Sequence, residues 1–265
     1  MLKKWYFATN VHGVLNAFDQ IQVAVLSCIS RTDLEPHCLF DAEGADHLAE
    51  AGVLWLTEHG VTVIRHKASM VSLLQPHFGD RMAIYGGHWL RCDIPEIEQR
   101  DDAVLYTDID VIFLKAIPDV EMPTFLACGP EHGKTDYSYF NSGVMVMNIP
   151  ALQRRKAALV DLVRGRLEHM ACHDDQGALN LLFENTWDKL PAVWNWKPYW
   201  GENEEAIIVH FHGPKPSHAA VMRDTARDAF GAEFKTIYER NPSGYDHYTG
   251  VFNSFVAAAA AVQVG

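Results

Sequence analysis

Short apolar runs alternate with amphipathic stretches along the chain. Residues 5–9 form an apolar run that ends at polar Asn10, and residues 104–106 form another, so both suit buried strands. Residues 45–59 follow a helical pattern that stops at Gly60. This alternation predicts an α/β fold, with a mostly parallel sheet covered by helices. The other predicted strands span 36–40, 61–65, 125–128, 143–148 and 207–211, and the other predicted helices span 12–28, 85–92, 152–170 and 177–183.

The length of 265 residues fits one large domain or two small ones. We predict a single domain over 1–250, with a nucleotide-binding half (1–115) and a donor-sugar and acceptor half (116–250). The tail, 251–265, contains five consecutive alanines. Three interpretations of it stay open: a packed terminal helix, a frayed end, or a weak contact with a membrane or partner.

Composition limits the kinds of partner that the protein is expected to bind. The net charge is −12 and there is no long basic run, so nucleic acid is excluded as an expected partner. No segment approaches the roughly 20 apolar residues that span a bilayer, and the N-terminus does not resemble a signal peptide. We therefore expect a cytoplasmic protein. The five cysteines include no Cys-x-x-Cys pair and are expected to be buried apolar residues.

Two carboxylates stand in an apolar frame at Asp108 and Asp110. A buried, uncompensated carboxylate costs several kcal/mol, so this frame requires a compensating charge. In an extended chain residues i and i+2 face the same side, and two carboxylates directed at one point favour Mn²⁺ or Mg²⁺. The alternatives are a surface turn or a pairing with arginine.

A second apolar run, 206–211, is followed by Gly213 and Lys215. His210 is a candidate third metal ligand beside the two carboxylates, and His212 competes for that place. Gly213 permits close approach of the backbone to a ligand, and Lys215 can neutralise a phosphate. A histidine at a strand end also fits a purely structural role.

Two polar clusters lie between these segments. Asn141 and its neighbours precede an apolar run and suit either ligand hydroxyl groups or a simple turn. Asp175 and Gln176 precede a helical pattern, where an aspartate can equally cap the helix. By themselves these clusters decide nothing.

Together the segments resemble glycosyltransferase family 8, whose members are retaining enzymes with the GT-A fold. The resemblance rests on five short motifs in the family's order, within about residues 5 to 216. They are the stretches 89–95, 106–110, 140–143, 175–180 and 210–216. The implied fold is a Rossmann-like, mixed and mostly parallel sheet flanked by helices.

The resemblance implies a role for each matched residue. Asp108, Asp110 and His210 would bind Mn²⁺ or Mg²⁺, which bridges the diphosphate of a nucleotide-sugar donor. Donor contacts are implied for a further set: Thr9, Asn10, Arg91, Asp108, Asn141, Gly213 and Lys215. Asp175 and Gln176 would be the catalytic pair, with Gln176 beside the anomeric carbon. A UDP-sugar is the expected donor, and a glycan or another hydroxyl compound is the expected acceptor.

The chain departs from the family at several positions. Gly177 stands where a second acidic residue often follows the glutamine, which argues against a carboxylate nucleophile there. The spacing between Gly213 and Lys215 is one residue shorter than usual, and Ser217 replaces a common tryptophan. The first strand, which ends in Thr9 and Asn10, lacks the family's acidic residue, so the nucleotide base is left open. The expected chemistry is hexosyl transfer with retention, in which the diphosphate takes the acceptor proton.

Two other functions remain as alternatives. A sugar nucleotidyltransferase would carry a glycine-rich basic loop after the first strand, and the sequence after His12 has none. A non-catalytic nucleotide-sugar or carbohydrate-binding module would be expected to lack at least one metal ligand, and this chain keeps all three.

Overall fold

The computed structural model describes residues 2–224 and 230–262 of the chain. The strands are β1 Lys4–Asn10, β2 Glu35–Asp41, β3 Thr62–Arg65, β4 Ala103–Thr107, β5 Val111–Phe113, β6 Leu126–Pro130, β7 Phe140–Asn148, β8 Asp188–Lys189 and β9 Ile208–His210. The helices are α1 Val11–Asn16, α2 Phe18–Arg31, α3 His47–Glu58, α4 Val71–Phe78, α5 Met82–Tyr85, α6 Ile94–Ile97, α7 Ile149–Gln153, α8 Lys156–Arg166, α9 Asp175–Leu182, α10 Pro216–Asp224, α11 Ala232–Glu239 and α12 Pro242–Val262.

The chain groups into two compact units built from discontinuous segments. The first unit comprises Met1–Phe18, Leu34–Ile109 and Pro118–Leu190, and the second comprises Asp19–Asp33, Asp110–Ile117 and Pro191–Gly265. The predicted division at residue 115 and the tail boundary at 251 stay predictions. The backbone of residues 251–262 continues α12, whereas 263–265 lie outside the described residues.

A mixed sheet forms the centre of the first unit. Its strand order is β3-β2-β1-β4-β7-β6-β8. The β1–β2, β1–β4, β2–β3 and β6–β8 pairs are parallel, whereas β7 is antiparallel to both β4 and β6. This mixed, mostly parallel sheet with its flanking helices confirms the predicted fold class.

The parallel strands bring their polar ends to one edge of that sheet. Asn10 is paired with Asp41 at the ends of β1 and β2, and Asp108 directly follows β4. Strands β1, β4 and β7 are almost completely buried, which explains their apolar sequences. The crevice outside the carboxyl ends of such strands is where open α/β sheets bind ligands.

The predictions of continuous helices at 12–28 and 152–170 were wrong, because both are interrupted, and the helix predicted at 85–92 has a different geometry. The 12–28 helix breaks at Ala17, where the Asn16 side chain donates to the His12 carbonyl and competes with the helical backbone. The predicted 85–92 helix is instead a 3₁₀ helix, Gly86–Asp93, after α5; its two leading glycines disfavour the α conformation.

The 152–170 prediction corresponds to three shorter elements: α7, α8 and a 3₁₀ turn at Leu167–His169. The turn considered as an alternative at Asn141 is absent, because this residue lies inside β7.

The second unit contains a two-stranded antiparallel sheet of β5 and β9. Apolar side chains from this sheet pack with helices α2, α10, α11 and α12. The sequence predicted β9 as a final strand but gave no signal for its three-residue partner β5.

All five cysteines are buried, as expected from their apolar surroundings. Across residues 2–224 and 230–262, no helix combines the length and the apolar character needed to cross a bilayer.

Candidate active site

Arg91 is the centre of a buried charge cluster in the first unit. It lies in the 3₁₀ helix and is 5% exposed. Its Nη2 atom lies 2.7 Å from Asp108 Oδ1, and its Nη1 donates to both the carbonyl and the hydroxyl of Ser142. The Nε atom donates to the His88 carbonyl and lies 3.0 Å from Asp175 Oδ2, an ion-pair contact without hydrogen-bond geometry. Arg91 is therefore the counter-ion of two carboxylates, those of Asp108 and Asp175.

Burial and the neighbouring charges together shift the pKa values of the groups in this cluster. Burial raises the pKa of Asp175, although the charges of Arg91 and His88 oppose that rise. Burial would lower the pKa of Arg91, yet Asp108 and Asp175 outweigh it and hold the pKa above its ordinary value. Tyr106, whose ring lies 4.9 Å from the Arg91 guanidinium, donates a hydrogen bond to Asp108. The cluster therefore orients Asp108 from two sides.

Gln176 is held by the edge of β7. Its Oε1 atom accepts hydrogen bonds from the Ser142 backbone (2.8 Å), the Ser142 hydroxyl (3.2 Å) and Asn141 Nδ2 (3.3 Å). Asn141 Nδ2 also donates to the buried Glu131, and its Oδ1 accepts from the Gly143 backbone. Thus Asn141 and Gln176 share one network, in which the Gln176 carbonyl oxygen has a fixed direction.

His88 stands beside the catalytic candidate Asp175. Its Nδ1 atom lies 3.8 Å from Asp175 Oδ1, and burial lowers the pKa of His88. The rings of Tyr85 and His173 lie 5.8 and 6.4 Å from the His88 ring. This small aromatic cluster borders the carboxylate and includes no residue that the sequence singled out for the site.

The side chain of the strand-end residue Asn10 forms hydrogen bonds within the protein. Its amide nitrogen donates to the carbonyls of Ala83 and Ile84, and its oxygen accepts from the Gly13 backbone and caps α1. Thr9 is buried, and its hydroxyl contacts the Asn10 carbonyl at 3.4 Å. The two Asn10 amide hydrogens and the Thr9 hydroxyl proton are therefore already donated within the protein.

A cleft of about 240 Å³ adjoins this sheet edge within the first unit. Three of its polar lining residues are acidic: Asp41, Glu43 and Asp80. The Asp41 side chain accepts from the Glu43 backbone and ends β2 opposite Asn10. Among the residues that the structure describes, none that lines the cleft is cationic, so the cleft suits a neutral group with hydrogen-bond donors better than a phosphate.

Asp110 is the buried anion of the second unit. It is 7% exposed, and its Oδ1 lies 3.3 Å from His210 Nε2. Its Oδ2 accepts from Lys215 Nζ, which also donates to the Phe211 carbonyl. Burial alone would raise the pKa of Asp110, but the charge of Lys215 and the contact with His210 outweigh it and hold the pKa below its usual range. One carboxylate thus joins the predicted ligand His210 to the predicted phosphate-binding Lys215.

The loop after β9 places the remaining predicted residues of this unit. Gly213 has φ +87°, which only glycine adopts readily, and an added Cβ would lie 3.3 Å from Ile237. His212 Nδ1 lies 3.2 Å from the Tyr199 hydroxyl. His210 Nδ1 lies 3.0 Å from the Asn195 side-chain oxygen, so the two histidines have different partners.

Comparisons with known proteins agree with this geometry. The family model "Glycosyl transferase family 8" matches residues 127–219. These comparisons confirm the resemblance to glycosyltransferase family 8 and the GT-A fold. Of the motifs that carry the resemblance, those at 140–143, 175–180 and 210–216 lie inside the match, and the carboxylates Asp108 and Asp110 precede it.

Relatives with known names are partial matches. Mouse glucoside xylosyltransferase 1 is 26% identical over 191 residues, which cover 56% of this chain and 46% of that protein. Glycosyltransferase GlyB of Streptococcus pneumoniae is 27% identical over 101 residues, covering 36% of this chain and 25% of that protein. The chain therefore spans about half the length of the curated xylosyltransferases that it matches, or less.

Solved structures support the fold. The galactosyltransferase LgtC, in complex with donor and acceptor sugar analogues, aligns with a TM-score of 0.63 at 19% identity and covers 89% of this chain and 94% of that one. The glycosyltransferase GlyE of Streptococcus pneumoniae aligns with a TM-score of 0.59 at 18% identity and covers 98% of this chain and 64% of that one. At these identities the likeness concerns the GT-A fold alone.

Sequence reasoning missed several residues of the two clusters. Glu131, His88 and Asn195 each contact a predicted site residue. No sequence motif marks these three residues, because the contacts that connect them to the site are with residues 10 to 87 positions away along the chain. Only Ser142, inside the 140–143 motif, carried a signal that could have found it.

Proposed function

We propose that this protein transfers a hexosyl unit from a nucleotide-diphosphate sugar, a UDP-sugar, to a hydroxyl acceptor with retention of anomeric configuration. The observation that carries the proposal is Asp110, a buried carboxylate with an imidazole on one oxygen and an ammonium group on the other. The match of residues 127–219 to the family model and the GT-A fold support the same reaction class. The named relatives are longer than the region that matches this chain, so the activity of the whole protein is part of the proposal.

The donor set around Asp110 fits a divalent cation. A carboxylate oxygen and an imidazole nitrogen 3.3 Å apart are ligands that Mn²⁺ accepts, and the site is buried enough for the charge to matter. Asp108, which precedes Asp110 by two residues, is the proposed third ligand. When bound, the metal would supply Lewis-acid neutralisation of the departing nucleoside diphosphate.

Lys215 is the proposed cation for the donor phosphates. Its ammonium group already lies on Asp110 and the Phe211 carbonyl, and three N–H donors allow it to contact a phosphate as well. Gly213, two residues earlier, has no side chain to shield the loop backbone from the same ligand. The loop after β9 therefore provides both charge and close approach.

The charge cluster of the first unit is proposed to receive the donor sugar. Asp175 and Gln176 begin α9, where Arg91 and Asn141 fix their positions. The Gln176 oxygen is a weak nucleophile, and two donors from Ser142 reduce its basicity further. Gln176 therefore serves to orient the sugar and to stabilise positive charge at the anomeric carbon, not to form a covalent intermediate. The acceptor hydroxyl attacks on the face that the leaving group vacates, and its proton passes to the diphosphate.

The nucleoside is proposed to lie in the acidic cleft beside β1 and β2. Since the Asn10 amide nitrogen already donates two hydrogen bonds within the protein, Asp41 is the better candidate for a hydrogen bond to ribose or base. This assignment modifies the role that the family resemblance implied for Asn10.

The test is release of nucleoside diphosphate from a panel of UDP- and GDP-sugars, with Mn²⁺ or with EDTA. We expect metal-dependent turnover that Asp110→Asn lowers by at least about 100-fold, the range for loss of a principal electrostatic group. Asp161→Asn is the matched control, because that carboxylate is exposed and bonds only a neighbouring arginine on α8. Full activity of Asp110→Asn, or turnover that EDTA leaves unchanged, would overturn the metal assignment.

Two further outcomes bear on the rest of the proposal. Nucleotide-sugar binding without any turnover would favour a binding module. An inverted product, detected by NMR of its anomeric proton, would reject retention.

A further inference from the structure

Asn195 is completely buried behind the proposed metal ligand His210. It ends a short 3₁₀ helix, Ala192–Asn195, in the second unit. The next residue, Trp196, is fixed to β9, because its backbone N–H donates to Ile208 and its carbonyl accepts from His210. The Asn195 side chain is therefore held in place by the same strand that carries the histidine.

The contact defines the two ring nitrogens of His210. Nδ1 lies 3.0 Å from Asn195 Oδ1, and Nε2 lies 3.3 Å from Asp110 Oδ1. An amide oxygen only accepts hydrogen bonds, so Nδ1 must carry the proton in this contact. In the neutral ring the lone pair then lies on Nε2, facing the carboxylate. Two acceptors at this distance repel each other unless a positive charge lies between them, and either a proton on Nε2 or a bound metal cation meets that need.

We propose that Asn195 is a positioning residue that holds His210 as the Nδ1–H tautomer, with Nε2 directed toward the metal. The inference rests on the proposed function, because it concerns the same metal. A ligating histidine commonly donates its other N–H to a fixed acceptor, and loss of that acceptor typically weakens metal binding about 10- to 100-fold. Asn195 is the acceptor that the geometry assigns to this role.

The first measurement needs no metal and no substrate. Long-range ¹H–¹⁵N NMR of the metal-free wild type reports which ring nitrogen of His210 is protonated. At a pH where the ring is neutral, we expect the Nδ1–H form in the wild type and a mixture of tautomers in Asn195→Leu, whose side chain has a similar size but accepts no hydrogen bond. A wild-type ring protonated only on Nε2 would overturn the proposal without any variant, so the test survives a failure of Asn195→Leu to fold.

The second measurement is Mn²⁺ affinity, followed by the EPR signal of the free ion. We expect Asn195→Leu to bind Mn²⁺ about 10- to 100-fold more weakly. Asn195→Asp keeps an acceptor for Nδ1–H and should preserve both the tautomer and at least wild-type affinity. The matched control is Asn148→Leu, which removes a helix-capping amide of the first unit.

The outcomes separate this inference from the proposed function. Unchanged tautomer and affinity in folded Asn195→Leu, or an equal loss of affinity in Asn148→Leu, would overturn the positioning role while leaving the metal site intact. A wild type that binds no Mn²⁺ despite the Nδ1–H tautomer would instead reject the metal assignment, and with it any role of Asn195 toward a metal.

Discussion

Replacement of Arg91 by methionine should destabilise the protein strongly, because it leaves a buried carboxylate without its counter-ion. The Arg91 side chain is 6% exposed and that of Asp175 is 3% exposed. At an effective dielectric constant of about 20, charges about 3 Å apart attract by roughly 5 kcal/mol. Removal of one partner of a buried pair usually costs about 3 to 5 kcal/mol. We therefore expect Arg91→Met to lower the free energy of unfolding by about 3 to 5 kcal/mol.

Arg65→Met is the matched control for loss of an arginine. Arg65 also bonds a carboxylate, Glu50, but the two side chains are 51% and 46% exposed. Solvent screens such a pair, so its loss should cost at most about 1 kcal/mol. Urea denaturation compares the two variants, provided that the slope of the transition is unchanged.

A double mutant isolates the uncompensated charge. Asp175→Asn removes the carboxylate that Arg91→Met leaves unpaired, so the double variant should be more stable than the sum of the single losses predicts. Additive losses, or a cost for Arg91→Met as small as for Arg65→Met, would refute the argument that this cluster is held by buried charge.

The pH dependence of Arg91→Met gives a further check on the cause. Burial has raised the pKa of Asp175 above its unfolded value, and loss of Arg91 should raise that pKa more. A raised pKa means that the folded protein binds the proton more tightly than the unfolded chain does. Stability is then lost as the pH rises through the folded-state pKa. The deficit of Arg91→Met should accordingly be smaller at about pH 5 than at about pH 7.

Three other outcomes are expected. Burial would raise the pKa of Glu98, but hydrogen bonds from Lys4 and neighbouring groups lower it from 4.5 to about 2. The resulting stabilisation, up to about 3 kcal/mol, is present above about pH 4.5 and is lost as the pH falls toward 2. In an acid titration followed by circular dichroism, Glu98→Gln should not show this loss of stability. Lys215→Met should weaken UDP binding measured by calorimetry about 10-fold or more, whereas the exposed Lys115→Met should not. Gly213→Ala should cost about 1 kcal/mol or more in urea denaturation because of its positive φ, unlike substitution at Gly165, an exposed helix position with open space around it.

The central strands were predictable because their signals are local. Each is a short apolar run, and strand and helix patterns alternate in an order that favours parallel pairing. The same reasoning placed Asn10 at the end of the first strand, where β1 does end. For this position burial of the strand and the polarity of the next residue were sufficient.

Features that depend on one particular bonding partner, distant or local, were not predictable. The strand β5 has only three residues, and it becomes a strand because β9, almost 100 positions later, pairs with it. The break at Ala17 depends on the Asn16 side chain, which donates to the backbone carbonyl of His12, and apolar periodicity does not reveal such a bond.

The candidate site shows the same limit at the level of single side chains. A polar residue at a strand end can face a ligand, or it can complete hydrogen bonds within the protein, and the sequence motif is identical in both cases. Asn10 takes the second course because the carbonyls of Ala83 and Ile84, more than 70 positions away, reach its amide. Asn195 supports a site residue although it lies outside the motifs that carried the resemblance. Substitution of Asn10 should therefore affect folding before it affects donor binding, and a loss of activity there would not by itself identify a donor contact.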